Sequence, residues 1–196
     1  MEGSGQSDSR GPARAEPWAL LALGLIGALL IRACVSGHPD VTPIGAVAVL
    51  PVFDAATATQ AGNERAIASL LALSSDAGAS EVLQALNAVV IDFSAGSTQV
   101  PESAAVPLQR IALVMSMRPQ AERYRLSGHS DGRLSPMADL ELSRRQAQAV
   151  VDFLVLQGVA AERLQAVGAG DQEPLAAAST EEARFRNRRF EFSMLP

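Results

Sequence analysis

The run Gly128-His129-Ser130-Asp131-Gly132 satisfies G-x-S-x-G, the spacing at which a serine nucleophile is presented on a sharp strand-to-helix turn. Its surroundings argue against that chemistry. Arg133-Leu134-Ser135-Pro136 inserts a further loop before the next helix, and both histidines, His38 and His129, precede the serine, where the triad base should follow it. A histidine inside the same turn is badly placed to reach back and serve Ser130 as base. Metal and redox chemistry fall away as well. Cys34 is the single cysteine, and His129 has no second histidine or clustered carboxylate at ligand spacing. No catalysis and no cofactor or metal is expected. One basic cluster remains, Arg184, Arg186, Arg188 and Arg189, with Glu181, Glu182 and Glu191 beside it as ion-pair partners. Within a net charge of −5 it is too small a face to neutralise a phosphate backbone, so nucleic acid is excluded as a partner.

The elements that must hold these residues follow from apolar periodicity. Residues 1–17 are Gly, Ser, Pro and charge without a repeating apolar pattern and read as a disordered tail. Residues 18–35 hold thirteen uninterrupted uncharged residues from Ala19 to Ile31. As a helix the whole segment reaches about 27 Å, against a hydrocarbon core of about 30 Å. A single transmembrane helix therefore fits if Arg32 snorkels to one interface and Trp18 sits at the other. A cleaved signal peptide fits the same stretch, and lipidation at Cys34 ranks below both, because Arg32 stands where a lipoprotein signal wants a small or aliphatic residue. Residues 36–87 read as a linker containing an edge strand near Ala46–Phe53 and short helices over 62–74 and 79–88, in which Ile67, Leu70, Leu71 and Val82, Leu83, Leu86 recur at helical spacing.

From residue 88 onward the pattern is regular. Val89, Ile91 and Phe93 alternate as a strand. Pro101 opens a helix with the stripe Ala104, Leu108, Ile111, Ala112 and Met115, and Tyr124 and Leu126 alternate into the Gly-His-Ser-Asp corner. Ser135 caps a long helix whose expected core stripe is Leu140, Ala147, Val150, Val151 and Leu154, ending at Gly158. Strands near Leu164–Val167 and over Phe190, Phe192 and Met194 complete a β-α-β-α-β-β order. The class is α+β, a two-layer sandwich with two helices on one face of a small mixed sheet.

Set in this frame, the motifs have a family likeness. Phe93 with Gly96-Ser97, then Gly128-His129-Ser130-Asp131, Asp139, Leu142-Ser143, Arg184 and Asn187-Arg188-Arg189 stand at the spacings of the OmpA-like peptidoglycan-binding domain, which residues 88–195 resemble. The resemblance implies non-catalytic binding of peptidoglycan through a groove for the diaminopimelate end of a stem peptide, with Asp131 accepting hydrogen bonds from the ammonium. Ser130, Asp139, Leu142, Ser143, Gln146, Arg184, Asn187 and Arg188 are the other candidate ligand-binding positions. The chain departs from the pattern at Gln146, where the family places the arginine that grips the carboxylate. Replacing a charge-assisted bond by a neutral one weakens binding by about threefold to thirtyfold unless Arg184 or Arg188 supplies the charge. Arg144 and Arg145 point off the face of Gln146, because successive helix positions differ by about 100°.

The expectation is an envelope protein held to the membrane through its N-terminal helix, with its C-terminal domain in the periplasm, a place for further envelope protein partners, and a role in tethering membrane to wall. The alternative is a structural or interaction module that keeps the fold with weakened or lost wall binding. A proton-driven stator shares the layout, but residues 18–35 contain no Asp or Glu to carry the ion.

Overall fold

The computed structural model describes residues 52–196. The expected tail, the 18–35 anchor or signal segment, Cys34 and the linker as far as residue 51 lie outside the described residues. Among the described residues no helix is long and apolar enough to cross a membrane.

The order is α1 (Ala55–Ala72), α2 (Ala79–Asn87), α3 (Glu102–Met117), β1 (Tyr124–His129), α4 (Pro136–Leu156), a 3-10 turn (Ala161–Arg163), β2 (Leu164–Gly170), α5 (Glu181–Asn187) and β3 (Phe190–Met194). The strands form one mixed sheet in the order β2-β1-β3, with β1 parallel to β2 and antiparallel to β3. Period-two alternation sends Tyr124 and Leu126 to one face of β1, and the register sets Met194 and Phe192 beside them. Arg125 and Ser193 take the opposite, solvent face. Helix α4 lies over β1 and β2, α2 lies against β3, and α3 packs on α4 and α1. The helices expected before residue 88 are present, and Ala66, Leu70, Val82 and Leu86 from them join the common core.

Local chemistry explains the boundaries that matter. Ser135 caps α4, its Oγ accepting from Ala138 N at 3.4 Å, and Pro136 occupies the first turn, where its missing N–H costs nothing. Arg163 is 3% exposed and spends its guanidinium on the carbonyls of Met115, Pro119 and Glu122. It thereby satisfies the C-terminal end of α3 and fixes the loop that feeds β1.

Two expectations are corrected. The opening strand at 89–93 is not part of the sheet. Val89, Ile91 and Phe93 are buried in alternation as expected, yet the backbone finds side chains in place of a ladder. Asn63 of α1 brackets Val90, its Nδ2 donating to Val90 O at 3.0 Å and its Oδ1 accepting from Val90 N at 2.9 Å. Asn87 does the same for Phe192 on the outer edge of β3, at 3.1 and 2.6 Å. Two side-chain amides satisfy main-chain groups that strand pairing would otherwise satisfy, so the order among the described residues has three strands and five helices. The second correction is Leu140, expected in the core and 42% exposed. At this end of α4 the inward positions are Asp139 and Ser143, both buried, because the helix backbone itself comes up against the glycines of β1 and β2.

Candidate functional site

Helix α4 approaches the sheet as closely as its backbone allows. A Cβ added at Gly128 would lie 2.5 Å from Ser143 O, and one at Gly168 would collide with Leu140 O and Arg144. These two positions tolerate only glycine. Ser143, fully buried, bridges the junction. Its Oγ accepts from Gly170 N at 3.0 Å and donates to Leu140 O at 3.0 Å. Above this point β1 leaves the sheet. His129 N donates to Arg189 O at 2.9 Å and Ser130 N to Gly170 O at 2.8 Å, so residue 131 is the first one free of both neighbouring strands. Asp139, 1% exposed, accepts from Leu134 N at 3.2 Å and draws the loop back over α4. Asn187 at the end of α5 takes Leu175 N and Ala176 N on its Oδ1, at 3.0 and 3.1 Å, and donates to Ala176 O at 2.8 Å. That clasp sets the direction in which Arg188 leaves.

The corner opens into a cleft of about 350 Å³ between the 92–96 segment, the 129–134 loop, α4 and the start of α5. The Phe93 ring rests on Phe190 at 5.5 Å between centroids and holds the first wall against β3. Asp131 stands at the centre, its side chain 9% exposed. Its Oδ2 accepts from Arg188 Nη1 at 2.9 Å and lies 3.2 Å from Arg133 Nε. Arg188 reaches Glu181 at 3.2 Å and Asp92 at 3.4 Å as well, and Arg133 also pairs with Glu181. Burial works against the charge of Arg188, but the hydrogen bonds it donates to Asp131 and Glu181 and the charge of Asp92 more than offset it, and its pKa is raised. Gln146 on α4 donates through Nε2 to Ser97 O at 2.8 Å, joining the helix wall to the turn opposite. Leu142 supplies an apolar patch beside it.

With this geometry in view, comparison with known proteins becomes informative. Residues 92–188 match the OmpA family. These residues are an OmpA-like domain. Over 96 residues, 49% of this chain and 29% of the relative, the sequence is 34% identical to the peptidoglycan-binding protein ArfA of Mycobacterium tuberculosis. Among solved structures, the peptidoglycan-associated lipoprotein of Burkholderia pseudomallei is 28% identical with a TM-score of 0.50, covering 54% of this chain and 88% of that one. The C-terminal domain of Helicobacter pylori MotB has a TM-score of 0.51 at 23% identity, covering 54% and 82%, and shares the fold. The chain spans about half or less of the length of the curated relatives it matches.

Within the OmpA-like domain the candidate residues separate. Ser130, Asp131, Asp139, Leu142, Gln146 and Arg188 line the cleft. Ser143, Arg184 and Asn187 do not. Ser143 and Asn187 are structural ties, and Arg184 turns away to Ala178 O at 2.8 Å and to Glu181 at 3.1 Å. Of the two arginines weighed as substitutes for the absent helix arginine, only Arg188 stands in the cleft. Asp92, Arg133 and Glu181 are lining residues that sequence reasoning missed. Asp92 had a signal, since it sits between Ile91 and Phe93 on the face opposite the core. His129 forms part of the floor and is 3% exposed, with neither ring nitrogen hydrogen-bonded. Desolvation first, and Arg189 second, hold its pKa below the usual histidine value. Glu191 Oε2 lies 3.7 Å from its Nε2, beyond hydrogen-bond length. The Ser130 hydroxyl is buried without a partner among the described residues.

Proposed function

We propose that this protein binds peptidoglycan without catalysis, taking the end of a stem-peptide side chain of diaminopimelate type into the cleft around Asp131. The observation that carries the reading is the half-buried Asp131–Arg188 pair inside a concave site. Both arginine contacts to Asp131 fall on Oδ2, and its Oδ1 accepts nothing among the described residues. That oxygen is available to a ligand ammonium, with Asp92 as a second acceptor nearby and the guanidinium edges of Arg188 and Arg133 for the carbonyl-bearing group. Leu142 packs on the methylene stem. The likeness to proteins named as peptidoglycan-binding and peptidoglycan-associated supports the same reading. The cellular setting that goes with it is the envelope, with residues 18–35 as membrane anchor and the domain in the periplasm, so that binding tethers membrane to wall.

The test is retention of the full chain on purified sacculi. The wild type should co-sediment at low salt, and Asp131→Ala should lower retention about tenfold, the loss of one charged hydrogen bond. Equal retention of the two proteins, or none of either, would reject the proposal and leave a scaffold that keeps the fold.

A further inference from the structure

Charge in the cleft is unbalanced in a way that selects among ligands. Asp92, Asp131, Asp139 and Glu181 line it against Arg133 and Arg188. With buried Asp139 set aside, the acids still outnumber the guanidiniums. The two arginines are already committed, Arg188 to Asp92, Asp131 and Glu181, and Arg133 to Asp131 and Glu181. A ligand carboxylate entering here must therefore share both cations with the protein acids already on them while facing the excess negative charge itself. A ligand ammonium meets no such competition.

Gln146 supplies an independent observation. Its Nε2 is committed to Ser97 O at 2.8 Å. A carbonyl oxygen accepts and cannot donate, which fixes the orientation of the amide and leaves Oε1 as an acceptor with no partner among the described residues. An arginine at this place would present donors only. From α4 the cleft thus offers a hydrogen-bond acceptor where recognition of a free carboxylate requires a donor.

We infer that the cleft prefers a stem-peptide end in which the ammonium stands beside a carboxamide, the carboxyl group being masked as its amide, over the free zwitterion. The ammonium faces Asp131 Oδ1, the amide N–H donates to Gln146 Oε1, and the amide oxygen accepts from a guanidinium edge of Arg188 or Arg133. This rests on the proposed function and names the class of wall chemistry that the site reads.

The experiment titrates the full chain with two soluble disaccharide-tripeptides that differ only in whether the side-chain carboxyl of the diaminopimelate is free or amidated, alongside the sacculus assay. The amidated probe should bind about tenfold tighter, and Gln146→Arg should reverse the order in favour of the free acid. Circular dichroism of the variant checks that it folds. Equal affinity for the two probes, tighter binding of the free acid, or an unchanged ranking in Gln146→Arg overturns this inference while wall binding stands. Failure of both probes with sacculi still retaining the protein overturns it too. Failure of both together with loss of sacculus retention removes the proposed function and this preference with it.

Discussion

The framework beneath the cleft and the lining of the cleft are built from the same short motifs and do opposite work. In the framework, Ser143 and Asn187 are almost fully buried and spend their polar atoms on the protein's own backbone. In the lining, Asp131 and Gln146 keep an oxygen each without a protein partner among the described residues. Residues adjacent in the motif, such as Leu142 and Ser143, can thus belong to different regions. Spacing that identifies an OmpA-like domain is for the most part a record of how the corner is tied together.

Substitutions should separate the two regions by which measurement they move. The largest effect is expected at Gly128→Ala, where the new methyl group meets Ser143 O. Chemical denaturation should show a loss above about 3 kcal/mol, because backbone rather than a flexible side chain must move. Asn187→Ala removes three hydrogen bonds and should cost about 3 kcal/mol on the same assay. Ser143→Ala leaves Gly170 N buried without an acceptor and should cost about 2 kcal/mol, with affinity for sacculi unchanged in the folded fraction. Asp131→Ala should do the reverse. Arg188 keeps Asp92 and Glu181 as partners, so the melting temperature should move little while binding falls about tenfold. A lining substitution that unfolds the protein, or a framework substitution that abolishes binding without touching stability, would erase the distinction.

The smallest effect is a pH dependence from the floor. The folded protein holds the His129 pKa below the ordinary value of about 6.5, first through burial. Below about pH 6.5 the unfolded chain takes up the proton that the folded one refuses. Stability is therefore full above that value and declines as pH falls, by at most about 1.4 kcal/mol per unit, until the lowered folded pKa is reached. Denaturation midpoints between pH 7.5 and 5 should show this decline, and His129→Asn should remove the portion that titrates near pH 6.

Much of the domain was legible because burial is written in periodicity. The stripe of α3, the cap at Ser135, the alternation of β1 and the face of β3 all follow from apolar spacing and one capping residue. Where the reading failed, the determinant was a contact remote in sequence. The alternation of Val89, Ile91 and Phe93 is the signature of a strand, and nothing local says that an asparagine 27 positions away will take its hydrogen bonds. Helix α5 has seven residues, too few for a repeat to register, although Thr180 caps it through Ala183 N at 3.1 Å. Leu140 fits the helical stripe by spacing, and its exposure follows from the glycines opposite, which bring main chain rather than side chain to the interface. The site was legible in outline. Asp131 and Arg188 follow from the motif and Gln146 from a departure from it, and all three line the cleft, whereas Asp92 and Glu181 belong to no motif and only the fold brings them to it.

The glycine junction under α4 has a mechanical consequence. With Gly128 and Gly168 pressed against its backbone, the helix has no slack toward the sheet, so that side of the cleft behaves as an anvil. The facing turn, Ser94–Ser97, is tied across by the Gln146 amide and folds on itself through Ser97 N to Ser94 O at 2.9 Å. The two walls of the cleft therefore differ in how they are held, one by main-chain packing against the sheet and the other by a single amide–carbonyl latch.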